Sequence, residues 1–184
     1  MSFAVWITGL PGSGKSTIAG ELIKNLKNAE YLRLDEIRKK YVNKPKFTEE
    51  ERESVYSKFI KEGVSKIDQG RNVVYDATAH KLKWRSEARR RIKDFVEVRV
   101  KCPLEVCIER ESRRSGGLIL ADLYRKSLER KRTGQQFEGL GQVVGIDVPF
   151  EENENVEIEV DSEKTAPKEA AGAILEELKK RGWV

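Results

Sequence analysis

Gly9-Leu10-Pro11-Gly12-Ser13-Gly14-Lys15-Ser16 matches the spacing G-x-x-x-x-G-K-[ST] at every fixed position. Residues of these types at this spacing can wrap a polyphosphate. The glycines let the backbone bring N–H groups close to phosphate oxygens. Lys15 supplies a positive charge, and the Ser16 hydroxyl is placed to ligate Mg²⁺. Gly12, Ser13, Gly14, Lys15, Ser16 and Thr17 are the expected phosphate-binding set. Phosphoryl transfer also needs a carboxylate near an acceptor hydroxyl or the metal. Asp35 is the first choice for that group, and Asp76 is expected to assist the metal; each could instead be a plain helix or turn cap. Arg38 lies one turn after Asp35, placed to clamp a substrate anion or to pair with Asp35. Phe47 either stacks on a base or serves as a hydrophobic staple. Arg110, Arg113, Arg114, Arg125, Lys126 and Arg130 suit a lid that excludes water, with Arg110 foremost in reaching the phosphates. His80, the only histidine, reads as a loop residue near substrate or a surface residue, not a catalytic base.

These groups need elements to hold them. Phe3 to Thr8 is an apolar run suited to a buried parallel strand, and Ile18, Leu22 and Leu26 give the following segment a helical stripe. Glu30 to Leu34 reads as a second strand, with Asp35 capping a short helix to Tyr41. Thr48 and Glu51 form a capping box for a long helix striped by Val55, Phe59, Ile60, Val64 and Ile67 and ended by Gly70. Asn72 to Tyr75, Phe95 to Cys102 and Val156 to Val160 are further strands. Helices are expected over Lys81–Ile92, Pro103–Arg113, Leu120–Arg132 and Ala166–Lys180, with a glycine break at Gly116-Gly117. Residues 133–155 read as a long mobile segment. The alternation predicts one three-layer α/β domain over residues 1–184: a five-stranded parallel sheet with helices on both faces and a basic lid near 113–150. Ligands then sit beyond the carboxyl ends of the strands, where Asp35 and Asp76 fall.

The 184 residues carry 36 basic and 31 acidic side chains, a net charge of +5. Residues 81–93 are strongly basic and residues 151–163 strongly acidic. A basic face above a phosphate loop suits an anionic substrate, and the basic helix keeps RNA open as a partner. Cys102 and Cys107 lack any zinc or disulfide pattern and read as small core residues in a reducing compartment. The N-terminus shows no signal-peptide pattern, and no run approaches a membrane span. The expectation is a soluble, cytoplasmic protein.

The chain resembles the adenylylsulfate kinases. The likeness is carried by Trp6 to Thr17, Leu34-Asp35-Glu36-Ile37-Arg38, Phe47 to Glu53, Cys102 to Cys107 with Arg110, and Gly145 to Glu151. The resemblance implies ATP and Mg²⁺ as cofactors, adenylyl sulfate as the anionic acceptor and a homodimer. It gives Asp35 the role of the family's base or metal-associated aspartate, Arg38 and Phe47 contact with adenylyl sulfate, and Arg110 contact with ATP. Five departures put the acceptor half in question, one of them a longer lid with an insertion near Arg130 to Gly141. Arg33-Leu34-Asp35 stands for the family's Asp-Gly-Asp, Val55-Tyr56-Ser57 for Asn-Ile-Arg, and Val143 for a second aromatic. Asp76-Ala77-Thr78 is closer to P-loop kinases acting on polynucleotide ends, small metabolites or aminoacyl-tRNA. Two alternatives therefore stand: a kinase for another small-molecule or RNA hydroxyl, and a nucleotide-binding switch or ATPase.

Overall fold

The computed structural model describes residues 2–113 and 122–184. Arg114, the Gly116-Gly117 break and Leu120 lie outside the described residues. The sheet is parallel throughout and its five strands run in the order β2-β3-β1-β4-β5. The strands are β1 (Ala4–Thr8), β2 (Ala29–Arg33), β3 (Asn72–Asp76), β4 (Phe95–Lys101) and β5 (Ile158–Asp161). The helices are α1 (Lys15–Ile23), α2 (Leu34–Tyr41), α3 (Glu49–Asp68), α4 (Leu82–Arg91), α5 (Leu104–Ser112), α6 (Leu123–Thr133) and α7 (Pro167–Lys180).

β1 is central and wholly buried because both faces are covered. Side chains alternate along a strand, so its residues divide between two cores. Phe3, Val5 and Ile7 pack with α1 and α7 through Ile18, Leu22, Ala171 and Ile174. Ala4 and Trp6 pack with α2, α3 and α4 through Ile37, Phe59 and Trp84. Trp6 stacks on Tyr75 at 4.8 Å, and Phe59 meets it edge-on at 5.5 Å. A third cluster joins α5 and α6 through Cys107, Tyr124, Leu140 and Val143. Cys102 and Cys107 are free thiols, the second buried.

Several expectations are corrected. β2 ends at Arg33, and Leu34 opens α2. Asp35 is therefore the second residue of that helix rather than its cap, and extended Arg33 stands at the cap position without a side-chain bond. Thr48 does accept from Glu51 N. The reciprocal half of the box is missing, because Glu51 Oε2 reaches past Thr48 to the amides of Lys46 and Phe47 at 2.6 and 3.1 Å. β5 begins later than its apolar run suggests. Residues 134–155 carry no helix or strand, as expected, but they are packed: Leu140, Val143 and Val144 are buried.

The basic run of α4 and the acidic run before β5 neutralise each other and their neighbours. Arg85 and Arg89 pair with Glu97 and Glu157, Lys81 and Lys83 with Glu49 and Glu53, and Arg91 with Glu87. Five of the seven bases in residues 81–93 thus already face a carboxylate. No helix among the described residues is long and apolar enough to cross a membrane.

Gly63 shows how tightly the α3 face is filled. A Cβ there would lie 1.8 Å from Tyr75 Oη, whereas one at Gly172 in α7 would meet nothing within 4 Å. Gly172→Ala should stabilise by about 0.5–1 kcal/mol through helix propensity. Gly63→Ala should destabilise by roughly 1–3 kcal/mol through overpacking despite the same propensity gain. Urea unfolding of the two variants beside the parent measures both signs.

Candidate active site

The carboxyl ends of β1, β2 and β3 open into one cavity of about 540 Å³. It is lined by the phosphate loop, Asp35, Asp76, Arg38, Phe47 and Arg110, and also by Arg33, Arg52, Tyr56, His80 and Val143. Of the residues singled out by type and spacing, the phosphate loop apart from Ser13, both aspartates, Arg38, Phe47, His80 and Arg110 line it; Arg113, Arg125, Lys126 and Arg130 do not.

The loop is shaped by close packing as much as by backbone freedom. Gly14, at φ 94°, is the left-handed residue from which α1 starts. A Cβ on Gly12 would lie 2.4 Å from Cys107 O, so only glycine lets the loop rest against α5. Gly14 O accepts from the amides of Thr17 and Ile18, and the first-turn amides of α1, with the positive end of the helix dipole, are groups suited to binding an anion. Lys15 Nζ reaches across the loop to Leu10 O at 2.7 Å. Gly12, Gly14, Lys15, Ser16 and Thr17 line the cavity; Ser13 does not. Ser13 is buried, its amide donates inward to Leu10 O at 3.1 Å, and its hydroxyl has no partner among the described residues.

The donor set beside Ser16 suits Mg²⁺. Asp76 ends β3 and is buried, and its Oδ2 accepts from Tyr31 Oη at 2.8 Å. Tyr31 Oη also lies 3.3 Å from Ser16 O; the shorter, charge-assisted contact takes its proton. Burial, reinforced by Asp76, pushes the Tyr31 pKa up, so the hydroxyl stays a donor. No group of three or more His, Cys, Asp or Glu residues among those described could enclose a metal. One serine hydroxyl and one carboxylate, completed by phosphate and water oxygens, is the sparse hard-oxygen set that Mg²⁺ accepts.

Asp35 is half-buried on the first turn of α2 and faces the same cavity. Arg38, one turn on, is buried and pairs with Glu51 of α3 rather than with Asp35. The Arg38 guanidinium lies 4.6 Å over the Phe47 ring. Arg110 stands over the loop with Nη2 2.9 Å from Ser162 O and Nη1 3.1 Å from Ser162 Oγ. It is held by the chain beyond β5 rather than by its own helix. Arg125 pairs locally with Asp122 and Glu129, and Arg130 with Asp147, so these lid cations are partnered within the lid.

Arg52 and Tyr56 of the acceptor end were not singled out by spacing, and His80 was left between a loop residue near substrate and a surface residue. Arg52 is buried; it donates to Phe47 O at 3.2 Å and to Gln142 O, and its Nη1 lies 3.2 Å from His80 Nδ1. No carboxylate among the described residues lies within ion-pair distance of it. His80 is buried, against the surface alternative, and desolvation together with Arg52 holds its pKa down at about 4. It is therefore a neutral imidazole at neutral pH. Tyr56 stacks on Trp84 at 3.9 Å and accepts from Ala79 N at 2.7 Å. A usable signal was present: Arg52 falls in phase with Val55 and Phe59, a charge on the apolar stripe of α3. Val55 itself is core, and Ser57 does not line the cavity.

Against known proteins, the sequence profile described as "Adenylylsulphate kinase" matches residues 1–161. A probable adenylyl-sulfate kinase of Archaeoglobus fulgidus is 34% identical over 169 residues, covering 89% of this chain and 98% of that one. One from Pyrococcus abyssi is 31% identical, covering 99% and 98%. Among solved structures, the APS kinase CysC of Mycobacterium tuberculosis, in complex with AMPPNP and APS, superposes with a TM-score of 0.75 over 97% of this chain and 98% of that one. At 23% identity that likeness speaks for the fold. With a profile match over most of its length and relatives this similar end to end, the chain belongs to the adenylylsulphate kinase family of ATP-dependent phosphotransferases.

Proposed function

We propose that this chain transfers the γ-phosphoryl group of ATP to the 3′-hydroxyl of adenylyl sulfate, giving 3′-phosphoadenylyl sulfate. The observation that carries the reading is Arg52, a buried guanidinium at the cavity wall whose described partners are two carbonyls and a neutral imidazole. A buried cation left without a carboxylate favours an anion brought by the ligand. The phosphate loop already accommodates the anion of ATP, so Arg52 serves a second anionic molecule, as the family's acceptor is. The observed family membership supports the same choice.

In this reading the residues divide the work by position. The amides at the start of α1 and Lys15 hold the β- and γ-phosphates. Mg²⁺, held by Ser16 and Asp76, supplies neutralisation of the phosphate oxygens when bound. Asp35 orients the acceptor hydroxyl and takes its proton. Arg38 and Arg52 hold the acceptor's anionic groups. Phe47 offers the adenine the ring face that Arg38 does not cover. Arg110, anchored on Ser162, reaches the phosphates of ATP from the lid side. Residues 1–184 act as one kinase domain, with residues 122–150 over the mouth.

Adenylyl sulfate should raise ADP release at least tenfold above the acceptor-free rate in a single-turnover assay; no stimulation across a wide concentration range removes this acceptor. Asp35→Asn should lower kcat by roughly 10²–10⁴-fold with little change in the KM for ATP. Arg52→Lys, which keeps charge but loses the fork, should raise the KM for adenylyl sulfate by about tenfold or more and leave that for ATP in place. Arg110→Ala should lower turnover by about tenfold, on the order of one charge-assisted contact.

His80 adds a pH signature. Its folded-state pKa of about 4 lies below the ordinary value of 6.5. Between those values the unfolded chain binds the proton and the folded chain does not, so stability falls as pH drops from about 6.5 to 4. His80→Gln should flatten that slope in urea titrations taken at several pH values.

A further inference from the structure

We propose that Arg85 is a positioning residue for the acceptor end of the cavity: it holds the loop of residues 77–80 in the conformation that sets His80 against Arg52. The proposal rests on the anionic-acceptor reading above and adds a residue that does not itself line the cavity.

Arg85 is wholly buried in α4. Its Nη1 donates to Ala79 O and its Nη2 to Glu151 O, and its Nε lies 2.8 Å from Glu97 Oε1. The guanidinium sits 4.9 Å over the Phe150 ring. Glu97 is itself held, since its Oε2 accepts from Asn153 Nδ2 at 2.8 Å. One side chain thus joins α4, β4, the loop after β3 and the segment entering β5. The main chain reinforces the joint: Glu151 N donates to His80 O at 2.7 Å, and Leu82 N to Glu151 Oε2 at 2.7 Å.

The loop needs holding because Ala79 has φ 42°. A residue with a Cβ avoids that region and stays there only when its surroundings impose it. Here both backbone groups of Ala79 are fixed by side chains, N–H by Tyr56 Oη and C=O by Arg85. His80 follows directly, and its ring touches Arg52 Nη1 at 3.2 and 3.4 Å. Contacts therefore run from Arg85 through Ala79 and His80 to Arg52. The phosphate loop is not among them. A residue that only stabilised the fold would affect both substrates alike; Arg85 acts on one.

The test compares Arg85→Lys and Glu97→Gln with the parent, in steady-state kinetics with ATP and adenylyl sulfate and in amide exchange of the substrate-free protein. Arg85→Lys should raise the KM for adenylyl sulfate roughly tenfold with kcat moving less, and leave the KM for ATP within about twofold, as expected when one reactant is misplaced. The amides of Ala79, Leu82 and Glu151 should exchange several-fold faster while those of Thr17 and Ile18 keep their rates. Adding Ala79→Gly to Arg85→Lys should recover part of the acceptor KM, because glycine adopts this φ without strain. A parallel rise in both KM values, or an unchanged acceptor KM with unchanged exchange at Ala79, would overturn the proposal. If Arg85→Lys does not fold, Glu97→Gln carries the same readouts. The exchange measurement needs no substrate. A parent protein inactive toward adenylyl sulfate therefore removes the acceptor reading without mimicking failure of this one.

Discussion

A guanidinium taken out of water costs several kcal/mol unless an anion or a full set of acceptors goes with it. Among the described residues three arginines are almost fully enclosed: Arg38 at 3%, Arg52 at 6% and Arg85 at 0% exposure. Much of the acceptor half follows from how each is compensated. Arg38 is answered by Glu51, which α3 brings against α2. Arg85 is answered by Glu97 on β4 and two carbonyls. Arg52 has only carbonyls and an imidazole that stays neutral at neutral pH. Arg38 and Arg52 both line the cavity, whereas Arg85 lies behind it, so only the first two are placed to meet a ligand.

The donor half was legible because its information is local. Eight consecutive residues fix the phosphate loop, and the apolar run before it and the stripe after it fix strand and helix. The placement of Asp35 and Asp76 followed from one topological rule, and the parallel register that pairs Arg33 with Asp76 puts both carboxylates at the same sheet edge. The acceptor half was less legible because its partners are distant in the chain. Arg38 finds Glu51 13 residues on, and Arg52 meets Gln142 90 residues on. Spacing rules reach one or two helical turns and cannot choose among such partners. His80 was left between a loop residue near substrate and a surface residue. Its burial is the work of Trp84, Arg52 and the segment at Glu151.

The departures from the family pattern take on physical meaning in the folded chain. Val55 and Tyr56 extend the apolar face of α3, and Tyr56 gains a backbone amide to hold. Asp76 is tied to Tyr31 across neighbouring strands and shares that hydroxyl with the main chain of Ser16. A change at Tyr56, Tyr31 or Asp76 would leave another polar group without its partner.

The strand order places β2 and β5 at the two margins of the sheet. An open parallel margin is a template on which a second chain could add itself and begin aggregation. β5 is only four residues long. Glu159 on it draws in Arg99 and Lys101, while Glu157 just before it draws in Arg89. At the opposite margin Glu30 attracts Lys66 and Arg71, and Arg33 attracts Glu36. Both borders are thus short and ringed with charge. These edge charges protect the fold against edge-to-edge polymerisation, Glu157 also offsets Arg89 of the basic helix, and high salt would weaken both effects.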